Sequence, residues 1–123
     1  MADPSWPHFS HDELKCSHCG DNQMDEAFMQ RIEALRMIYD KSMVVSSAYR
    51  CSYHNNNVSS TGGTGPHTTG KAIDFSCAYG TAMDILLLAT SIGFNGIGIS
   101  QKGDPKSRFI HLDMLERIAL WSY

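Results

Sequence analysis

The chain has 123 residues, 42% hydrophobic and 19% charged, with a formal charge of -3. That length holds one globular domain around a single core, expected to span 1–123 and to be monomeric. The slightly acidic balance gives no electrostatic footprint for nucleic acid or an anionic membrane, and the apolar run Ile85 to Ala89 is far too short to cross a bilayer. No charged and apolar leader precedes the fold, so a soluble product made in the cytoplasm without a signal peptide is expected.

Met1 to Pro7 carries two prolines and a tryptophan and predicts an extended lead-in, reaching to residue 9 and packing through Trp6. Ser10 to Glu13 has the spacing of a capping box and predicts a short helical turn. Cys16 and Cys19 follow in C-S-H-C-G, which fits a metal knuckle, a redox pair or a tight disulfide equally well. The other two cysteines, Cys51 and Cys77, form no second C-x-x-C, so a four-cysteine structural zinc site is a weak reading. Cys77 is most simply a small buried apolar residue.

From Asp25 to Tyr39 the residues Phe28, Ile32, Leu35 and Ile38 recur at helical spacing, with Asp25 able to cap the start. Met43 to Val45 open a strand that leads through Ser46, Ser47, Ala48 and Tyr49 to Arg50 at a loop edge. Cys51 to Gly65 is rich in Asn, Ser, Thr and Gly and predicts a loop bordering a groove. Gly65 to Ala72 falls one residue short of a phosphate-binding loop. The Ser or Thr required there is Ala72, and the segment runs into a strand rather than a helix, which argues against nucleotide binding.

Lys71 to Cys77 alternates, placing Ile73, Phe75 and Cys77 toward a core and Ala72, Asp74 and Ser76 away from it. Thr81 to Ile92 predicts a second helix, apolar nearly all round and therefore buried, with Gly93 as its stop. Phe94 to Ser100 and Arg108 to Met114 predict an antiparallel hairpin across the turn Gln101 to Ser107. Its second strand carries His111 and Asp113 on the face opposite Ile110, Leu112 and Met114. Trp121 and Tyr123 close the chain and are expected to seal one edge of the core. The expected fold class is α+β, a small antiparallel sheet with flanking helices.

Two stretches hold the candidate chemistry. His67 and Asp74 lie seven positions apart, and His111 arrives in the hairpin. Two imidazoles and one carboxylate are the donor set of an open zinc site, which keeps a fourth position for water. Taken singly, His111 fits a structural histidine in an apolar strand and Asp74 a hydrogen-bonded carboxylate at a turn.

PHTTGKAID resembles the S-x-H-x-x-G-x-A-x-D signature of zinc D-alanyl-D-alanine carboxypeptidases, phage L-alanyl-D-glutamate endolysins and the Hedgehog signalling domain. FIHLDM is similar to their third-ligand strand, and HFSHDELKC, SSAYRCSYHNNNV, GFNGIGIS and LWSY extend the likeness over nearly the whole chain. The resemblance implies a Hedgehog/DD-peptidase-like fold and Zn2+ held by His67, Asp74 and His111. It further implies an enzyme, a zinc metallopeptidase that cuts a peptide bond of bacterial cell-wall peptidoglycan. Matched to the family's S-x-Y-R motif, Arg50 becomes a fixed cation for substrate oxygens and transition-state charge.

Two departures stand out. Gly65-Pro66 precedes the first histidine where the signature has a serine two positions before it, and Arg108 occupies the place, three before the third ligand, where many relatives carry an acidic general base. Asp113 is the first candidate for that base, ahead of Asp104 and His54; its other reading is a partner that orients an imidazole. A peptidoglycan hydrolase encoded by a phage or prophage is the leading expectation. A zinc-containing wall-binding or phage structural module without cleavage is the alternative, and a thiol redox protein built on Cys16 and Cys19 is a third.

Overall fold

A computed structural model of the chain describes residues 6–51 and 65–123. The expected loop after Cys51, with His54, lies outside the described residues. The lead-in contributes to the core at once: Trp6 and Phe9 form a small bridge, and Phe9 is buried against Phe75 with ring centroids 6.0 Å apart. His8 fastens this segment to the next helix, its backbone N–H donating to Glu33 at 3.1 Å and its Nδ1 lying 2.6 Å from the other Glu33 oxygen.

Helix α1 spans His11–Leu14. Ser10 accepts from the Glu13 backbone N–H while the Glu13 carboxylate accepts from that of Ser10, so the expected capping box is formed. Helix α2 spans Glu26–Tyr39, begins on the Asp25 side chain, which accepts from the Phe28 N–H at 2.9 Å, and ends at a left-handed Asp40. Its core stripe is Phe28, Met29, Ile32 and Leu35; Ile38, expected in that stripe, is exposed in the last turn.

Helix α3 spans Tyr79–Ile92 and stops at Gly93. Its burial is one-sided, contrary to the sequence expectation: Ala82, Ile85 and Ala89 are buried, whereas Met83 and Leu87 are 57% and 59% exposed. The helix packs on α2 and the sheet along one stripe, and among the described residues nothing covers its far side.

Five strands form one sheet: β1 Val44–Ser47, β2 Ala72–Ser76, β3 Gly96–Ser100, β4 Phe109–Asp113 and β5 Ala119–Ser122, in the order β1-β2-β4-β3-β5. All pairings are antiparallel except β3 with β5, which is parallel. The chain is therefore α+β with a mostly antiparallel sheet. The expected β3–β4 hairpin is present. The closing segment does not seal the core as expected: Ala119–Ser122 adds a fifth strand, and Trp121 packs against His111 on the other face of the sheet.

Ile73, Phe75, Ile97, Ile110 and Leu112 join the buried stripes of α2 and α3 in one hydrophobic cluster on one face of the sheet. Because successive side chains alternate, that arrangement commits Asp74, His111 and Asp113 to the other face.

Candidate metal centre

Asp74 and His111 sit at the middle of β2 and β4 and are direct register partners across the antiparallel pair. The carboxylate Oδ1 lies 2.9 Å from His111 Nδ1. His67 comes from a separate element, a 3-10 turn over Pro66–Thr69 with proline at its start and left-handed Gly70 at its end. Gly70 is required twice over: its φ is +75°, and a Cβ there would meet the Gln23 carbonyl, while its own carbonyl accepts from the Asp25 N–H at 2.8 Å. The turn aims His67 Nε2 at Asp74 Oδ2, 3.3 Å away.

The strand β1 completes the cluster. Its pairing with β2 slips between Val45 and Ser47, a bulge that brings Ser47 opposite Asp74 and re-aims the residues that follow. The Ala48 carbonyl lies 2.7 Å from His67 Nδ1, and the Arg50 N–H donates to the His67 carbonyl at 3.1 Å. Arg50 itself places Nη2 3.8 Å from Asp74 Oδ2 and donates from Nε to Ser47 Oγ at 3.0 Å.

The tautomers follow from these partners. A carbonyl can only accept, so His67 Nδ1 carries the proton and Nε2 presents a lone pair toward Asp74. His111 Nε2 faces Asp113 Oδ2 at 2.7 Å, so its proton is held there and Nδ1 is turned toward Asp74.

Burial alone would push both carboxyls up. For Asp74, hydrogen bonds to His111 and His67 outweigh that and bring it to about 2. For Asp113, bonds with His111, Arg117 and the Leu115 N–H hold the group well below the ordinary carboxylate range. Burial disfavours a charged His111, yet Asp113 and Asp74 on its two nitrogens raise its pKa.

The donor set fits a zinc ion. One atom from each of His67, Asp74 and His111 lies within 4.8 Å of the others, and all three residues are buried. Two imidazole lone pairs directed at one ionised carboxylate are acceptors facing an acceptor. A cation, either a proton or a metal, is what reconciles them.

Asp113, the first candidate for the general base, lies behind His111 on the side away from Asp74. It is fully buried, separated from Asp74 by the His111 ring, with both oxygens engaged by His111 and by a bidentate Arg117 at 2.6 and 2.9 Å. Asp104 caps a turn, accepting from the Lys106 N–H at 2.9 Å. Arg108, at the place expected to be acidic, donates twice to the Gly103 carbonyl and lies over the Tyr79 ring.

Sequence reasoning missed two neighbours of the site. Trp121 in β5 packs 5.2 Å from the His111 ring, directly over Gly98. Arg117 is reached by a turn after β4, and no local pattern in the sequence announces it.

The α+β scaffold thus converges two imidazoles and a carboxylate beside a fixed guanidinium, the donor set of a candidate metal centre. The chain belongs to the peptidase M15 family, whose profile matches residues 7–113. M15 peptidases are zinc enzymes, which agrees with the donor set described above. No curated protein matches the chain.

Proposed function

We propose that this protein is a zinc-dependent peptidase that hydrolyses peptide bonds of bacterial peptidoglycan, of the D,D-carboxypeptidase or L-alanyl-D-glutamate endopeptidase type, on a Hedgehog/DD-peptidase-like scaffold. The observation that carries this reading is the convergence of His67, Asp74 and His111 in a member of the M15 family. In this reading the protein is made in the cytoplasm and acts as a monomer on the cell wall.

His67 through Nε2, Asp74 through its carboxylate and His111 through Nδ1 would hold the zinc. Zinc at such a site supplies Lewis acidity, polarising a carbonyl and lowering the pKa of bound water toward ~7. The chain's own groups do the rest. Ala48 and Asp113 fix the two imidazoles in the tautomers that leave a lone pair toward Asp74. Arg50, beside Asp74, is the cation that receives a substrate carbonyl or carboxylate oxygen and stabilises negative charge as it develops there. Trp121 walls the His111 side with an apolar surface. Asp113 is assigned as a positioning residue, on the support of its burial and its bidentate pairing with Arg117.

One observation favours a second reading, a zinc-containing module that binds the wall without cutting it. Arg108 stands where many relatives carry an acid, and Asp113 and Asp104 are both occupied elsewhere. Mass spectrometry of muropeptides incubated with the purified protein, with and without chelator, separates the two. Cleavage that is lost on chelation and in Asp74→Ala is expected; metal retained without any cleavage product supports the binding module.

A further inference from the structure

Cys16, Cys19 and Cys51 come together at the opposite end of the segment that carries Arg50. Their sulfurs all lie within 4.8 Å of one another, although Cys51 is 35 positions from Cys16. Cys77, the remaining cysteine, is elsewhere, buried with its thiol donating to the Phe75 carbonyl. The sequence pairing C-x-x-C is thus completed by Cys51.

The backbone around these residues forms a tight turn and directs N–H groups at sulfur. The turn closes with the Gly20 N–H donating to the Cys16 carbonyl at 2.8 Å and the Cys16 N–H to the Asp21 carbonyl at 2.7 Å, Gly20 being left-handed at φ +77°. Backbone N–H groups of Cys51, Cys19 and His18 are directed at the Cys16 sulfur, that of Cys51 at 3.4 Å. Such donors stabilise a thiolate, the form in which cysteine binds metal.

The spacing of the sulfurs is equally specific. Tetrahedral zinc with Zn–S bonds of about 2.3 Å sets two ligand sulfurs about 3.8 Å apart. Cys16 Sγ and Cys51 Sγ are 3.7 Å apart. A disulfide requires about 2.05 Å and would leave one of the three thiols unpaired.

We propose that Cys16, Cys19 and Cys51 supply three thiolates to a second, structural zinc site. The ion closes the chain between Cys16 and Cys51 and pins the residue next to Arg50. It reinforces the hydrogen bond from the Tyr49 N–H to the Leu14 carbonyl, 3.1 Å, which already joins β1's exit to α1. This site stands independently of the peptidase reading, because it shares no ligand with the His67–Asp74–His111 group.

The test is metal content of the full chain, purified under reducing conditions, for wild type, Asp74→Ala, Cys19→Ser and the double variant. Cys19 is chosen because it is exposed, whereas Cys16 is buried in the core. Two zinc ions per chain are expected for wild type, one for each single variant and none for the double. Cobalt substitution supplies the second readout: Asp74→Ala keeps an intense near-ultraviolet sulfur-to-cobalt charge-transfer band, which Cys19→Ser diminishes at unchanged circular dichroism. A wild-type metal count in Cys19→Ser, no charge-transfer band in Asp74→Ala, or a mass 2 Da low from a Cys16–Cys51 disulfide in the reduced preparation would each overturn the proposal. Failure of Asp74→Ala to lose an ion counts instead against the His67–Asp74–His111 site.

Discussion

Asp113→Asn discriminates between a carboxylate that positions His111 and one that takes a proton from water. Asp113 accepts four hydrogen bonds: from His111 Nε2 at 2.7 Å, from Arg117 Nη1 and Nη2 at 2.6 and 2.9 Å, and from the Leu115 N–H at 3.2 Å. Asparagine keeps one oxygen and gains an NH2 donor. It cannot satisfy both His111 and Arg117, and whichever loses its acceptor faces a donor instead. A hydrogen bond to a charged group contributes about 1.5–3 kcal/mol. Loss of such a partner behind a metal-binding imidazole weakens metal affinity by roughly 10- to 100-fold, or about 1.4–2.7 kcal/mol.

Competition with a chromophoric chelator at neutral pH measures the affinity of the His67–Asp74–His111 site, best in the Cys19→Ser background. The expected result is a zinc Kd raised by about 10- to 100-fold, with kcat recovering at saturating zinc and the acid limb of the pH profile in place. An unchanged Kd combined with a collapse of kcat and loss of that limb would refute the reasoning and return Asp113 to the role of general base.

The metal-stripped protein should be most stable between about pH 4 and 6.5, from the reference values of free carboxyl and imidazole groups. His111 is raised in the fold, so its contribution is complete below the unfolded value and fades as pH climbs through the folded one; thermal melts that improve above pH 7 would contradict this. Asp74 and Asp113 are depressed, so their contributions are present above the unfolded carboxyl value and vanish as pH falls through the folded ones, about 2 for Asp74. Leu35→Ala removes a fully buried side chain from α2 and should cost about 2–5 kcal/mol in denaturant unfolding; a loss under ~1 kcal/mol would place Leu35 outside the core. Gly98→Ala puts a methyl group 2.6 Å from the Trp121 ring, so the indole must move off His111. In a Trp6→Phe background its emission should shift red, with kcat/KM reduced and metal content kept; unchanged emission would mean the ring already has room. Arg50→Gln should lower kcat by about 10²–10³-fold at full zinc occupancy, and wild-type turnover would remove Arg50 from the proposed machinery.

What the sequence disclosed, it disclosed through local periodicity. Alternation in Lys71–Cys77 and Arg108–Met114 assigned Asp74 and His111 to one face, and the β2–β4 register then sets them directly opposite. Capping chemistry at Ser10 and Asp25 marked both helix starts. The shortfalls arise where a residue's neighbour is distant in the chain. Helix α3 looks buried because its composition is apolar, but composition cannot show that only the Ala82–Ile85–Ala89 stripe meets a partner. Strand β5 is four residues at a sheet edge, too short for its period to separate it from a tail. Asp113 had the right face and chemistry for a base, and only the arrival of Arg117 and its depth behind the imidazole reveal that both oxygens are taken.

The segment from Ala48 to Cys51 explains why the two cysteine and histidine clusters belong to one design. Within four residues, a carbonyl sets the tautomer of His67, an N–H binds the His67 carbonyl, a guanidinium reaches Asp74 and a thiol meets Cys16. The bulge after Val45 breaks the regular ladder with β2, so this segment is held by bonds outside the sheet, from the Tyr49 N–H to the Leu14 carbonyl and from the Arg50 N–H to the His67 carbonyl. The His67 turn secures one side, and the sulfur cluster, tied to the α1 end of the molecule, secures the other. Loosening the sulfur cluster should therefore be felt first at Arg50, whereas His111, braced by Asp113 and Arg117 on a central strand, is insulated from it.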